Sequence, residues 1–445
     1  MTDYKPDPTG WSGALSIYTH PRVLGMVFLG FSAGLPFLLV FSTLSAWLRD
    51  VGVALSTIGF FSWVGITYSI KVFWAPVIDR LQIPLVTPRM GKRRSWMLLA
   101  QLGIGSGLAA MALTDPLTQM ELIAVFALIV AFGSATQDIT IDAYRIEAME
   151  DQYQGAMAAT YVFGYRVALL VAGAGTFYLA EFQSWSFAYL VMAILMLIGI
   201  STTLIINEPE HRSDRIAQQL EQQLEKVIGV QSRASAEQRL TAWFVDAVVS
   251  PFVEFFRRSG KMALLILLLI GCYRISDITM GVMANPFYLD IGFSKTDIAN
   301  VTKIFGFFMT IAGAGLGGVC VVRFGLLKPL LAGAILVAVT NLLFVALAMH
   351  QPNLISLALV VSADNLSGGF STSAFIAYLS SLTHKSYTAT QYALFSSLMT
   401  LPAKLLGGYS GVVVEHLGYA NFFLYAGLLG IPAILLVVLM LRKPA

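Results

Sequence analysis

The sequence predicts an all-α membrane protein with twelve transmembrane helices in two six-helix halves. Hydrophobic residues make up 57% of the 445 residues and charged residues only 12%, whereas about a quarter of the residues in soluble globular proteins are charged. Twelve stretches are long and apolar enough to cross a bilayer, which takes about 20 residues of helix. One long polar loop divides six of these stretches from the other six.

The apolar stretches lack the alternating pattern of barrel strands, and only helices or closed barrels satisfy their backbone groups inside a membrane. The predicted spans are residues 22–48, 56–78, 95–114, 120–145, 156–181, 186–206, 261–289, 297–322, 329–349, 353–382, 391–414 and 419–441. We therefore expect an N-terminal six-helix bundle (1–206), a cytoplasmic linker with an amphipathic interface helix (207–260) and a C-terminal six-helix bundle (261–445). The first span is too long for a signal-peptide core and is expected to be retained.

The distribution of Lys and Arg predicts that both termini are cytoplasmic. With that orientation, 21 of the 28 cations face the cytoplasm and five lie within spans. Only Arg49 and Lys295 then lie on the opposite side. Cytoplasmic loops of membrane proteins carry such an excess of positive charge.

Ionisable residues inside spans are costly and therefore mark candidate functional groups. The basic ones are Lys71, Arg166, Arg274, Lys303 and Lys404. Lys71 and Lys303 lie toward span ends, so we expect their ammonium groups to extend to the membrane surface. Arg166 and Lys404 fall at similar offsets in the fifth and eleventh spans, and such internal repetition is common in transporters, which bind substrate between their halves.

The fourth span contains SATQDITIDAYR, in which Ser134, Asp138 and Asp142 share one helical face beside Gln137. Asp138 has no obvious local partner and is a candidate for handling substrate or protons, and Gln137 for binding substrate. Asp142 can pair with Arg145 one turn away. A cytoplasmic gate of salt bridges is predicted near this end of the bundle, formed by Asp79, Arg80, Arg93, Arg94, Asp142, Arg145 and Glu147.

The seventh span places Tyr273, Arg274 and Asp277 near the middle of the bilayer. Arg274 and Asp277 are one turn apart and form either a neutralised structural pair or part of a binding site. Asn285-Pro286 is expected to break this helix, because proline has no N–H to donate. Broken helices favour a transport role, because they expose backbone groups to a cavity.

The tenth span is the least lipid-like of the twelve and is predicted to form a polar cavity wall, although its small residues also suit tight helix packing. Its candidate residues are Asp364, Asn365, Ser367, Thr372 and Ser373. No histidine lies inside a span, so a carboxylate must carry any coupled proton. The candidates are Asp138, Asp142, Asp277 and Asp364.

Other chemistries are not supported. Two cysteines, Cys272 and Cys320, give neither a disulfide framework nor a metal-site spacing. The sequence has no phosphate-binding loop ending in Gly-Lys-Ser/Thr, so ATP-driven transport is not expected. Asp138 and Asp142 could hold a divalent metal in a membrane enzyme, but no partner motif accompanies them and Arg145 competes. No cofactor, metal or nucleic acid is expected.

Several longer segments together resemble the AmpG family of muropeptide permeases within the major facilitator superfamily, over nearly the whole chain. They are GLPFLLVFSTLSAWL, TIGFFSWVGITYSIKVFWAPVIDR, GKRRSW, SATQDITIDAYR, LLLIGCYRISD and DNLSGGFSTSAFIAYLSSLTHKSYTATQYALFSS. Enterobacterial members of that family have extra spans at their C-terminal end, whereas this chain stops after its twelfth span.

The resemblance implies a multi-pass protein of the bacterial inner membrane and no enzyme. A monomer is expected, although the sequence itself says almost nothing about oligomeric state. The protein would import GlcNAc-anhydroMurNAc, with or without peptide, together with protons, for peptidoglycan recycling. The substrate-binding residues would be Gln137, Asp138, Arg166, Tyr273, Arg274, Asp277, Asn365, Ser367, Thr372, Ser373 and Lys404. The alternative is a permease for a siderophore or another amphipathic organic acid, since siderophore and acetyl-CoA transporters have similar fourth-span motifs.

Overall fold

The computed structural model describes residues 17–149, 151–209, 250–260, 262–351, 353–382 and 388–442, and within these ranges it contains helices and no strands. The elements of the N-terminal half are α1 (Pro21–Leu39), α2 (Ser42–Asp50), α3 (Leu55–Phe61), α4 (Ile66–Ser69), α5 (Ala75–Arg80), α6 (Thr87–Met90), α7 (Lys92–Ala112), α8 (Met120–Ala148), α9 (Asp151–Leu170), α10 (Thr176–Phe182) and α11 (Trp185–Ile205). Short 3₁₀ turns cover Ile17–Thr19, Ser62–Gly65 and Lys71–Phe73, and a π-helical turn, Val171–Gly175, joins α9 to α10.

The C-terminal half follows a short helix that ends the linker. That linker helix is α12 (Ser250–Ser259), and the elements of the C-terminal half are α13 (Met262–Tyr273), α14 (Ile275–Asp290), α15 (Lys295–Asp297), α16 (Gly306–Phe324), α17 (Leu327–Met349), α18 (Leu354–Ser381), α19 (Thr388–Gly407), α20 (Ser410–Leu428) and α21 (Ile431–Arg442). A π-helical segment, Ile298–Phe305, joins α15 to α16. The predicted interface helix in the linker lies outside the described residues, except for α12.

Ten helices in the described ranges are long and apolar enough to cross a membrane. The predicted second span is not one of them, because it is divided into α3, α4, α5 and two 3₁₀ turns. The predicted boundary between the eleventh and twelfth spans is visible at Gly418, whose φ of +77° interrupts α20. A positive φ is a conformation that glycine adopts without steric cost.

The seventh span breaks at a different residue from the predicted one. α14 continues through Pro286, and the chain leaves helical geometry at Arg274 instead, where φ is −100° and ψ is 2°. Asp277 therefore lies in the first turn of a new helix, where a negative charge interacts favourably with the helix dipole. The first span is interrupted similarly at Phe41, between α1 and α2.

Glycines allow two pairs of helices to approach closely. In the N-terminal half, a Cβ on Gly30 would lie 2.1 Å from the carbonyl oxygen of Tyr161, and one on Gly164 would lie 1.9 Å from that of Val27. In the C-terminal half, α16 and α18 approach each other through Gly313 and Gly369 in the same way. Small residues at such crossings are typical of helix packing inside membranes.

The two ends of the bundle are named here by one residue each. The Arg93 end is where α7 begins, and the Asp50 end is where α2 finishes. The halves contact each other through α2 and α14, α3 and α20, α4 and α19, α10 and α15, and the two π-helical segments. Most of these elements lie at the Asp50 end, so the halves pack together there.

Candidate functional site

A cavity of about 480 Å³ lies between the two halves, and this volume is within the range of small-molecule sites. The N-terminal half supplies aromatic and hydroxyl side chains, and the C-terminal half supplies the charges. The lining includes Phe37, Phe41, Ser42, Ser45, Phe61 and Ser62 from the first half and Arg274, Asp277, Thr400 and Lys404 from the second.

Arg274 is held at the cavity wall from two directions. One nitrogen lies 2.6 Å from an Asp277 oxygen, and another donates a hydrogen bond to the hydroxyl of Thr372 on α18. The predicted pairing of Arg274 with Asp277 is confirmed. The side chains are only 22% and 25% exposed, so the guanidinium is positioned in the cavity with its charge partly compensated. Its Nε has no partner within the described residues.

Lys404 connects the halves across the cavity. Its Nζ donates to the carbonyl oxygen of Gly65 at 2.7 Å and to the hydroxyl of Ser69 at 2.9 Å. Ser69 also lies 2.8 Å from the hydroxyl of Thr400, and the Lys404 ammonium is 6.0 Å from the centre of the Tyr68 ring. A basic residue of the eleventh span is thus bonded to the broken second span.

Asp138 has a partner that the sequence did not reveal. An Asp138 oxygen lies 3.7 Å from Nζ of Lys71, so the expectation that Lys71 extends to the membrane surface is wrong. The reason is the broken second span, which turns Lys71 toward α8. The other Asp138 oxygen is buried and has no hydrogen-bond partner in the described part of the chain.

The remaining polar groups of the fourth span have separate surroundings. Asp142 lies 3.7 Å from Arg145 as predicted, and its side chain is 54% exposed, against 19% for Asp138. Gln137 is fully buried inside the N-terminal half, where it accepts a hydrogen bond from Ser32 at 2.8 Å. It does not line the cavity between the halves.

The charges predicted to form a cytoplasmic gate are paired within the N-terminal half. Arg93 makes a two-point contact with Glu147, at 3.0 and 2.6 Å. The backbone N–H groups of Arg93 and Arg94 donate to Glu208, at 2.7 and 3.0 Å. These contacts tie α7, α8 and the end of α11 together. The side chains of Asp79 and Arg80 lie outside the described residues.

Three ion pairs join described residues of the two halves at the Asp50 end. Arg49 pairs with Asp290, and Lys295 lies 3.1 Å from Asp50 and 3.7 Å from Glu181. We call these five residues the lid. Sequence reasoning did not identify the lid, although Arg49 and Lys295 are the two cations that the charge distribution left on the far side.

The other predicted binding residues lie away from the cavity lining. Arg166 is exposed rather than buried. Tyr273 is buried, donates to the carbonyl oxygen of Leu330 at 2.9 Å and stacks on Phe375 with ring centres 4.2 Å apart. Its surroundings are those of a packing residue.

The polar residues of the tenth span are divided among several roles. Asn365 accepts a hydrogen bond from Thr310 on α16 at 2.8 Å, and Ser367 is buried and bonds to its own helix. Thr372 reaches the cavity through Arg274, whereas Ser373 lies on the side facing Gly318 of α16. Asp364 makes no ion pair or hydrogen bond with the described residues. This helix therefore contributes both to packing and to the cavity.

Within the described ranges, no group of three or more His, Cys, Asp or Glu side chains could hold a metal ion. A guanidinium and an ammonium face aromatic rings, an arrangement suited to a ligand with carboxylate and ring components.

Comparisons with known proteins agree with this architecture. The family model of the Major Facilitator Superfamily matches residues 26–403. The chain is 31% identical over 429 residues to a putative transporter AmpG 4 of Rickettsia conorii, covering 96% of this chain and 98% of the relative. It is 35% identical over 424 residues to the anhydromuropeptide permease of Escherichia coli K12, covering 95% of this chain and 80% of the relative.

Solved structures show the same fold at low sequence identity. The nucleoside transporter NupG matches with a TM-score of 0.67 and 14% identity, covering 95% of this chain and 100% of that one. A D-xylose-proton symporter matches with a TM-score of 0.64 and 13% identity, covering 96% and 97%. At such identities these likenesses concern the fold alone.

The described ranges contain ten apolar helices of spanning length, and the two helical halves enclose a charged cavity. These features define a multi-pass membrane transporter. The chain belongs to the Major Facilitator Superfamily and, within it, to the AmpG family of transporters.

Proposed function

We propose that this transporter imports anhydro-muropeptides, GlcNAc-anhydroMurNAc with or without peptide, from the periplasm to the cytoplasm together with protons. The observation that carries the proposal is Arg274, held by Asp277 and Thr372 at the wall of the cavity between the halves. The 35% identity to an anhydromuropeptide permease supports the same cargo.

The cavity suits the chemistry of this cargo. Muropeptides carry carboxylates, which an arginine can bind through two parallel hydrogen bonds. Phe37, Phe41 and Phe61 line the opposite half of the cavity, and aromatic faces offer apolar surface to the faces of sugar rings. Lys404 supplies a second positive charge from the eleventh span.

Asp138 is the preferred proton carrier in this proposal. It is mostly buried, its nearest cation is Lys71 at 3.7 Å, and one oxygen has no partner within the described chain. Burial favours the protonated form and a nearby ammonium favours the charged form. A small movement of the broken second span relative to α8 would therefore change the proton affinity of Asp138.

Alternating access is supported by the asymmetry of the contacts between the halves. Ion pairs join the halves at the Asp50 end, whereas the ion pair between Arg93 and Glu147 lies within the N-terminal half. With twelve spans and both termini in the cytoplasm, the closed end would face the periplasm and the cavity would communicate with the cytoplasm. Asp79, Arg80, Arg93, Arg94, Asp142, Arg145 and Glu147 would close the inner side in the opposite state. We further propose that the protein is a monomer in the bilayer of the bacterial inner membrane.

Uptake of labelled GlcNAc-anhydroMurNAc and its peptides tests the function directly. The chain would be produced in cells that lack their own permease, and its amount in the membrane would be measured in parallel. We expect uptake well above the empty vector, which a proton uncoupler abolishes. The absence of uptake with the protein present in the membrane would contradict the muropeptide assignment.

A further inference from the structure

Lys303 is a basic residue inside the eighth span that the proposed mechanism does not use. It lies on the π-helical segment Ile298–Phe305, and it points between the halves rather than toward the membrane surface. Its ammonium is 5.4 Å from the centre of the Phe177 ring in the N-terminal half. A Cβ added to Gly173 would lie 3.6 Å from the Lys303 side chain.

The hydrogen bonds of Lys303 are incomplete. Its Nζ donates to the amide oxygen of Asn285 at 3.1 Å, and no carboxylate lies within 4.0 Å among the described residues. An ammonium carries three donors, so two of them have no acceptor in the described protein. Lys404, by comparison, bonds to Gly65 and Ser69, and Arg274 pairs with Asp277.

Lys303 lies along the proposed transport pathway, as the position of its partner Asn285 shows. Its partner Asn285 lies on α14, eight residues after Asp277 of the cavity and five before Asp290 of the lid. At 1.5 Å per residue these separations are about 12 Å and about 7.5 Å along the helix. Lys303 therefore lies at a level between the lid and the cavity. The Asn285 side chain also donates to the carbonyl oxygen of Ser42 across the boundary between the halves.

We propose that Lys303 forms a carboxylate-binding site between the lid and the cavity, which a substrate carboxylate occupies when the halves separate at the Asp50 end. Separation breaks the contacts of Asn285 with Ser42 and of Lys303 with Phe177, because these join opposite halves. The ammonium then faces the opening with its unused donors. A charge-assisted hydrogen bond to a carboxylate satisfies them, and the site passes the anion on toward Arg274 and Lys404. The inference rests on the proposed function.

The test compares an acidic substrate with a neutral one. Uptake of two labelled substrates would be measured: GlcNAc-anhydroMurNAc, and its analogue in which the lactyl carboxylate is converted to a methylamide. The proteins compared are the wild type, Lys303→Gln, Lys303→Arg and the control Arg323→Gln. Arg323 is an exposed cation at the other end of the same span. Amounts of protein in the membrane normalise the rates.

We expect Lys303→Gln to raise KM for the acid about tenfold or more, since a hydrogen bond to a charged group is worth about that factor. Its KM for the methylamide should equal that of the wild type, and Lys303→Arg should restore binding of the acid. Equal changes for both substrates would show that Lys303 is only a latch between the halves, and no change for the acid would also overturn the site. Absence of uptake by the wild type would instead reject the proposed function, and this inference with it.

Discussion

Arg49 at the end of α2 forms an ion pair with Asp290 at the end of α14, so the first and seventh spans are joined across the boundary between the halves. Asp290 also accepts a hydrogen bond from Tyr419 at 2.6 Å. The second connection of the lid joins Lys295 to Asp50 and Glu181. These pairs are among the contacts that must break if the cavity is to open at this end.

Reversing the charge at position 49 should open the lid. Arg49→Glu replaces attraction to Asp290 by repulsion. Loss of the partly exposed ion pair and the new repulsion together destabilise the closed lid relative to the open one by about 1 to 2 kcal/mol. A tenfold shift in the open population corresponds to about 1.4 kcal/mol. We expect a cysteine replacing Ser45, which lines the cavity, to react about tenfold faster with a membrane-impermeant maleimide added to intact cells.

The control for this prediction is the exchanged pair. Arg49→Glu combined with Asp290→Arg restores the attraction with its direction inverted, so labelling should return toward the wild-type rate. Both variants would be made in a background in which Cys272 and Cys320 are replaced by alanine. Equal labelling in the single and exchanged variants would show that this pair does not hold the halves together.

Variants of Arg274 and Asp277 show whether this ion pair belongs to a binding site or is only structural. Removing either charge alone leaves its partner uncompensated, which destabilises the protein. Arg274→Gln with Asp277→Asn removes both charges and should restore the amount of protein in the membrane. If Arg274 binds the substrate carboxylate, the double variant should still lose uptake by about a hundredfold. Uptake by the double variant within twofold of the wild type would mean that the pair is structural.

Asp138 and Asp142 offer a matched comparison for proton coupling, since they lie one turn apart on α8 and differ in exposure, at 19% and 54%. Asp138→Asn should abolish accumulation of substrate driven by an imposed pH gradient in proteoliposomes, because the buried carboxyl beside Lys71 is removed. Asp142→Asn should retain at least half of the gradient-driven accumulation. Counterflow exchange without a gradient measures whether each variant still moves substrate. Full coupling in Asp138→Asn would exclude it as the carrier.

The sequence predicted an all-helical membrane transporter fold because the hydrophobic length of a span is a local property. The second span is the exception. Its composition is apolar enough for a continuous span, but the helix is divided at Ser62–Gly65 and Lys71–Phe73. The sequence contains no single type of signal, such as a glycine–proline pair or a charged residue, that is present at both interruptions. A continuous second helix would place Lys71 near the membrane surface, and the break is the reason that Lys71 lies beside Asp138 instead.

Lys404 and Thr372 were predicted as members of the site because polar side chains inside spans are unusual, but side-chain pairings were predicted only between residues that lie close in sequence. Arg274 with Asp277 and Asp142 with Arg145 follow from helix periodicity. The aromatic wall of Phe37 and Phe41 was not anticipated, because an apolar residue in a span gives no sign of whether it faces lipid, a neighbouring helix or a cavity. The lid depends on which ends of the two halves meet, and that is a property of tertiary structure.

The close approach of α1 and α9 gives a prediction about stability. A Cβ at position 164 would lie 1.9 Å from the carbonyl oxygen of Val27, a backbone atom that cannot move aside without separating the helices. Overpacking of this kind costs about 1–3 kcal/mol or more. Gly164→Ala should therefore lower the midpoint of thermal unfolding of the purified protein by several degrees. Gly103→Ala is the matched control, because a Cβ at position 103 on α7 meets nothing within 4 Å and alanine favours helix formation. Equal midpoints for the two variants would show that α1 and α9 are less closely packed than the structure describes.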